Sequence, residues 1–278
     1  MDKIEIVPEQ PHSQEIADFA VLDLAQKDEG LLLGWMYRYF DNAEIPWEPL
    51  YQKTELADLW KKGPILIDLR HSPAFREALI ERYQTEYLGI LISAPDVALA
   101  TMADHLRSII IVQRDGKPSI FRFYDPRALG ALFEVLAPSQ HRQMLGASRK
   151  WAWHHHQQWW QFASSQQSDS SNPPRALSIT REQIAQIDDA RSHRFALFMA
   201  QTYSDYIPSE DAQGFAVNEV TAARSAGLST HVDFERWIRM AIKVEGPLME
   251  SDHWQQLAGS SERSPLQILS QLECEQGR

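Results

Sequence analysis

Phe121-Arg122-Phe123-Tyr124-Asp125-Pro126-Arg127 reads as a strand that stops abruptly and turns straight into a helix. From Ser119 to Tyr124 the residues fall into two sets, Phe121 and Phe123 on one side and Ile120, Arg122 and Tyr124 on the other, which is the period of two expected of a strand. Asp125 then stands at a helix N-cap, where its carboxylate accepts from the first unpaired helical N–H groups. Pro126 follows at the first helical position, where its missing donor does no harm. Leu129, Leu132, Phe133 and Leu136 continue as the apolar stripe of that helix.

Working outward, strand-like and helix-like segments alternate up to about residue 136. Strands are predicted over 19–24, 64–69, 87–93, 109–114 and 119–124, with helices over 29–40, 54–61, 73–84, 95–107 and 126–136. This rhythm argues for an α/β (α+β) fold, a sheet with helices packed on it. The Asp115-Gly116 pair between the last two strands is a short-turn signal, so those two strands pair antiparallel and the sheet is mixed. No Gly-rich phosphate loop follows any strand, and no cofactor is expected.

Trp151, Trp153, Trp159 and Trp160 crowd around His154-His155-His156. Two short strands with a turn near Gln157 place Trp151 and Trp153 on one face, and the hairpin is read as closing the edge of the sheet. Four tryptophans are more than one hairpin buries. They form either an exposed aromatic patch, of the kind enriched at protein interfaces, or a cluster covered by the helical part of the chain. The histidines offer at most His154 and His156 to one ion, because neighbouring strand residues face opposite ways. Zinc needs three or four converging ligands, so no metal site is expected.

Ala163 to Pro174 holds five serines, two glutamines and a Pro-Pro with almost nothing apolar, and marks a solvated linker. Beyond it the pattern turns helical. Thr180-Arg181-Glu182-Gln183 fits a capping box. A helix ends at Gly227, and another starts near Thr230 with Phe234, Trp237, Ile238, Ala241 and Ile242 on one face, stopping before Gly246-Pro247. The organisation expected is a mixed-sheet domain over 1–162, a linker over 163–176 and a small helical bundle over 177–278.

The chain has 278 residues and a net charge of −11. Through Phe162 there are 17 basic and 22 acidic side chains, and after it 10 and 16, so both parts are acidic. Nucleic-acid binding leaves a basic footprint, which is missing here. No run of residues is apolar enough for insertion into a bilayer. The opening Met1-Asp2-Lys3-Ile4-Glu5 has no apolar core of the secretory type. One cysteine, Cys274, excludes an intramolecular disulfide framework.

The Arg-Phe-Tyr-Asp-Pro-Arg string at 122–127 resembles a motif of the effector adaptors, or effector chaperones, of bacterial type VI secretion systems. Their N-terminal domain has been catalogued as a domain of unknown function. Other stretches resemble that family in the same order: Phe19 to Asp23, Pro49-Leu50-Tyr51, Gly63 to Ile67, Gly89 to Ser93 and His105 to Ser108. The resemblance spans roughly residues 15–160. It implies a cytoplasmic bacterial protein that binds one cognate secreted effector and delivers it to the VgrG spike protein, without catalysis. Its candidate partner-binding residues are Arg122, Tyr124, Asp125 and Arg127, with Trp151, Trp153, Trp159 and Trp160. Arg forks at 122 and 127 suit a partner's carboxylate or carbonyl; the alternative is structural, Asp125 capping and Arg122 paired to a nearby acid. The rival to this whole reading is a small hydrolase or transferase acting from the strand ends, with Asp68, His71 and Asp125 as its groups. It has no Gly-x-Ser-x-Gly elbow to supply a nucleophile.

Overall fold

The computed structural model describes residues 3–7, 17–39, 45–114, 116–163, 177–259 and 263–276. The chain divides into two compact units, residues 1–187 and 188–278. Residues 164–176 of the expected linker, and Asp115 of the expected turn, lie outside the described residues.

The first unit is built on a seven-stranded sheet. Its strands are β1 (Lys3–Val7), β2 (Phe19–Asp23), β3 (Trp47–Pro49), β4 (Pro64–Asp68), β5 (Gly89–Ser93), β8 (Lys150–His155) and β9 (Gln158–Ala163), in the order β1-β9-β8-β5-β2-β4-β3. Every neighbouring pair is antiparallel. The alternating rhythm does produce a crossover, from β4 through α2 (Pro73–Thr85) to β5. These two strands run the same way, but β2 inserts between them, so no parallel neighbours arise. All residues of β2 and β4 are buried, as in a sheet covered on both faces.

One face of the sheet presents Ala20, Leu22, Ile65, Ile67 and Leu91. Leu32 and Met36 of α1 (Leu31–Tyr37) and Phe75, Leu79 and Tyr83 of α2 cover it. On the opposite face, α3 (Leu99–Ile110) meets β3 and β4, while α4 (Pro126–Val135) meets β8. Each apolar side chain closed off from water contributes roughly 1.5–3 kcal/mol, so these two layers hold the unit together.

Two predicted elements come out differently. The hairpin of β6 (Ile111–Arg114) and β7 (Lys117–Ile120) does not join the main sheet. It forms a separate three-stranded sheet with β10 (Ser178–Ile179), whose pairing with β6 is the parallel one. The reason is local: α3 ends at Ile110 and β6 begins at Ile111, so no connecting chain can return to the strand layer. The tryptophan hairpin, in turn, is not at the edge, because β1 pairs along β9 from Val7↔Trp159 to Lys3↔Ala163. Its turn is the predicted one. His156 (φ 52°) and Gln157 (φ 60°) are both left-handed, which is the signature of a two-residue type I′ turn.

α5 (Pro138–Leu145) follows α4. After β10, the Thr180 hydroxyl accepts from Gln183 N–H at 3.2 Å and the Gln183 amide oxygen accepts from Thr180 N–H at 3.1 Å, the predicted capping box of α6 (Arg181–Thr202).

The second unit packs α6, α7 (Ala212–Ser225), α8 (His231–Lys243), α9 (Asp252–Gly259) and α10 (Pro265–Gln276) around Phe195, Met199, Val220, Phe234, Trp237, Trp254 and Leu269. Gly227 follows α7 with φ 96°, and Leu228 N–H reaches back to Ala223 C=O at 3.0 Å, closing the helix as expected. Thr230 caps α8. Within this core Glu219 is buried, accepting from Trp237 Nε1 at 2.9 Å and Leu248 N–H at 3.3 Å. Burial pushes its carboxyl above the usual range, against the pull of those two bonds.

Candidate functional site

The 121–127 junction is a turn, not a strand that runs on to Tyr124. Phe121 N–H still bonds Ile110 C=O at 2.7 Å and so extends the hairpin ladder by one residue. Asp125 N–H then bonds Arg122 C=O at 3.1 Å, closing a turn over 122–125. The strict alternation fails here. Arg122 stays exposed on the side of Ile120, but Tyr124 swings inward beside Phe123 and both are buried. The Tyr124 hydroxyl meets the Tyr51 hydroxyl at 3.2 Å. Burial, and then that bond, push the Tyr124 phenol far above its ordinary range.

Asp125 caps α4 as the sequence predicts, with Arg127 N–H donating to it at 3.0 Å and Pro126 at the first helical position. The Arg127 side chain folds back on the same carboxylate, Nε at 2.8 Å and Nη2 at 2.8 Å. Burial alone would raise the Asp125 pKa. The Arg127 bonds and charge outweigh it and hold the carboxyl below the ordinary value.

Arg122 finds its acid in Asp23, at the end of β2, with Nη2 to Oδ2 at 2.6 Å. Asp23 is itself buried and also accepts from Ala25 N–H at 3.1 Å and Gln26 Nε2 at 2.7 Å. The stretches singled out along the sequence therefore converge at one end of the sheet. Two glycines allow this closeness. A Cβ on Gly63 would lie 2.4 Å from the Tyr51 ring, and one on Gly89 would lie 1.8 Å from Val21 C=O. Arg107 supports the arrangement from α3. Its buried guanidinium donates from Nη2 to Glu48 at 2.7 Å and to Pro49 C=O at 3.0 Å, just ahead of Leu50 and Tyr51.

The tryptophans do not form an exposed patch. Trp151, Trp153 and Trp159 are buried, and Trp160 is half-buried with Nε1 donating to His155 C=O at 3.0 Å. Phe133 of α4 explains the burial of two of them. It stacks on Phe162 at 4.0 Å and packs against Trp151 at 5.9 Å and Trp153 at 5.8 Å. Trp159 faces the other way, into the α1–α2 layer. The exposed aromatic near the junction is Tyr87, 43% accessible, with the Arg127 guanidinium 5.9 Å from its ring and the His155 ring at 5.5 Å. Nothing in the local pattern around Tyr87 signals this, because both contacts come from distant parts of the chain.

His154 and His156 do not share a strand face, since His156 sits in the turn. His154 lies edge-on to Trp159 at 5.4 Å, while the His155 and His156 rings stack at 3.7 Å. Among the described residues no group of three or more His, Cys, Asp or Glu side chains is placed to hold a metal ion. No helix among them is long and apolar enough to cross a membrane.

Asp125 is not brought together with Asp68 and His71, the other residues of the enzyme reading. Asp68 lies at the Phe19 end of β2, whereas Asp125 joins the Asp23 end through its neighbour Arg122. Both oxygens of Asp68 are taken by Arg70, whose Nη2 pairs with Oδ2 and whose Nε reaches Oδ1 at 2.9 Å. Burial raises the Asp68 pKa, but the Arg70 bonds more than offset it and the net shift is downward. His71 is exposed.

No curated protein and no solved structure matches the chain. Residues 19–143, from the first buried strand of the sheet to α5 and including the whole 122–127 junction, match the model of the family described as Domain of unknown function (DUF4123).

Proposed function

We propose that this chain is a non-catalytic adaptor of a bacterial type VI secretion system, which binds a cognate effector in the cytoplasm and loads it onto the VgrG spike. The observation that carries the reading is the match of residues 19–143 to DUF4123, over the same stretch whose ordered strings resemble those adaptors. The site geometry is in keeping with recognition rather than turnover. Asp23, Asp68 and Asp125 each face an arginine at hydrogen-bond distance. A carboxylate so engaged is a poor general base, since base catalysis wants an available pair and a pKa near the working pH. Such groups suit a pre-shaped surface, which lowers the ordering cost of binding.

In this reading Arg122 and Arg127 of the sheet-bearing part, residues 1–162, make the contact common to such adaptors, with Tyr124 and Asp125 holding them in place. The helical part, residues 177–278, discriminates between effectors. Tagged full-length protein, expressed with an effector and a VgrG from the same secretion locus, retains both on affinity purification if the proposal holds. A folded chain that retains neither refutes it.

A further inference from the structure

The Phe121 N–H to Ile110 C=O bond sets the register of the β6–β7 hairpin. Bonded pairs alternate in an antiparallel ladder, so Ser119 and Lys117 turn their backbone groups toward β6. Pro118 and Ile120 turn theirs away, to the outer side of the three-stranded sheet, where β7 is the terminal strand. Pro118 has no N–H to lose there, which is why a proline is tolerated in this strand. The outward groups are therefore the Pro118 carbonyl and the N–H and carbonyl of Ile120. Side chains two apart share a face, and Pro118, Ile120 and Arg122 are all exposed. Ile120 is 49% accessible and the Arg122 side chain 43%.

Exposed cations stand at both ends of this edge. The chain carries −11, yet Arg114 and Lys117 stand exposed and directly opposite one another at one end of the hairpin. Like charges placed so are unfavourable on their own. At the other end, Arg122 spends only Nη2 on Asp23; its Nε and Nη1 make no hydrogen bond among the described residues.

We propose that the outer edge of β7 receives an extended acidic segment of a partner protein. The segment adds a strand to the small sheet, lays an apolar side chain on Ile120 and sets a carboxylate on the unused donors of Arg122. Strand addition of this kind takes its affinity from main-chain bonds and its selectivity from flanking side chains. The missing donor at Pro118 keeps the docked segment short. The inference rests on the adaptor reading for the partner being a protein, and names where and how it is held.

The test is selection of phage-displayed random dodecapeptides on the full-length protein, followed by fluorescence anisotropy of the selected sequences as synthetic peptides. Selected peptides are expected to alternate β-branched residues with one recurrent Asp or Glu. Arg122→Gln is expected to weaken binding about tenfold, and Asp→Asn or Glu→Gln in the peptide to cost as much in the wild type but nothing further in Arg122→Gln. Ile120→Pro, which removes an outward donor and the apolar side chain beside it but no bond of the β6–β7 ladder, is expected to abolish binding with the thermal midpoint little changed; Ile120→Lys serves as a second edge variant should the proline unfold the hairpin. Selection that yields no binders, no acidic preference, or binders indifferent to both Arg122→Gln and Ile120→Lys overturns the inference. Effector and VgrG still retained in that case leave the adaptor reading standing. Acidic peptides that bind β7 while effector and VgrG are both lost sink the adaptor reading alone.

Discussion

Asp68-Leu69-Arg70 and Asp125-Pro126-Arg127 fold into the same small device at opposite ends of one sheet. In each, the aspartate accepts from the arginine N–H at 3.0 Å. The arginine Nε returns to the same oxygen, at 2.9 Å in one and 2.8 Å in the other, and Nη2 takes the second oxygen. What surrounds them differs. Arg70 lies 4.7 Å above the Phe19 ring and gives Nη1 to Val97 C=O at 3.0 Å, so every nitrogen of its fork is hydrogen-bonded. Arg127 covers the exposed Tyr87, and its Nη1 makes no hydrogen bond among the described residues. Arg122 stands beside it with donors to spare. One clamp closes the fold; the other leaves cationic groups, already oriented, at the surface. The same two-residue spacing can thus be structural at one end and available for recognition at the other, and only the neighbours decide which.

The largest expected effect separates the two ends outright. Asp23→Ala removes the buried carboxylate that Arg122, Gln26 and the Ala25 N–H share, and is expected to cost on the order of 3 kcal/mol in urea unfolding. A loss below about 1 kcal/mol would mean that Asp23 does not organise that end. Next come the matched substitutions Asp68→Ala and Asp125→Ala, each expected to cost roughly 1–2 kcal/mol for the lost cap-like and charge-assisted bonds. Only Asp125→Ala is expected to lower retention of effector or VgrG; equal loss of binding from Asp68→Ala would abolish the distinction drawn above. Tyr124→Phe removes one hydroxyl pair and is expected to cost about 1 kcal/mol, with the junction intact by circular dichroism.

The finest contrast lies in acid. Asp68 and Asp125 both have folded pKa values held below the ordinary carboxylate value. Their contribution is complete above the unfolded pKa and is lost as pH falls through the depressed folded one. Thermal midpoints recorded down through the acid range are expected to fall, and the acid limb to flatten in Asp68→Asn and in Asp125→Asn. Glu219 in the helical unit has the opposite sign. Its raised pKa makes it costly as pH climbs through that value, so Glu219→Gln is expected to stabilise the protein more at neutral pH than in acid.

Much of the fold was legible where a rule acts over a few residues. β2, β4 and β5 follow from short apolar runs, and α4 from Asp125-Pro126 and its stripe. The capping box at Thr180 and the glycine stop at Gly227 were equally local. β1 was missed because five residues of weak signal become a strand only against β9, with Lys3 facing Ala163. Whether the tryptophans are exposed or covered was not legible, because Phe133, which covers Trp151 and Trp153, lies on a helix that periodicity alone cannot position over them. The Arg122 partner was foreseen as an acid but not as Asp23, 99 residues earlier in the chain.

The amino-acid order by itself determined where the backbone stops, turns and starts again, since caps, prolines and side-chain period act through bonds to the next few residues. It also determined that arginine and aspartate stand two apart at both ends of the sheet. Tertiary structure alone decided that Tyr124 turns inward to Tyr51, that β2 splits β4 from β5, and that one clamp gives its remaining donor to the Val97 carbonyl while the other stands over the exposed Tyr87. Those outcomes depend on contacts between segments tens of residues apart, whose free energy exists only once the chain has closed the loops between them.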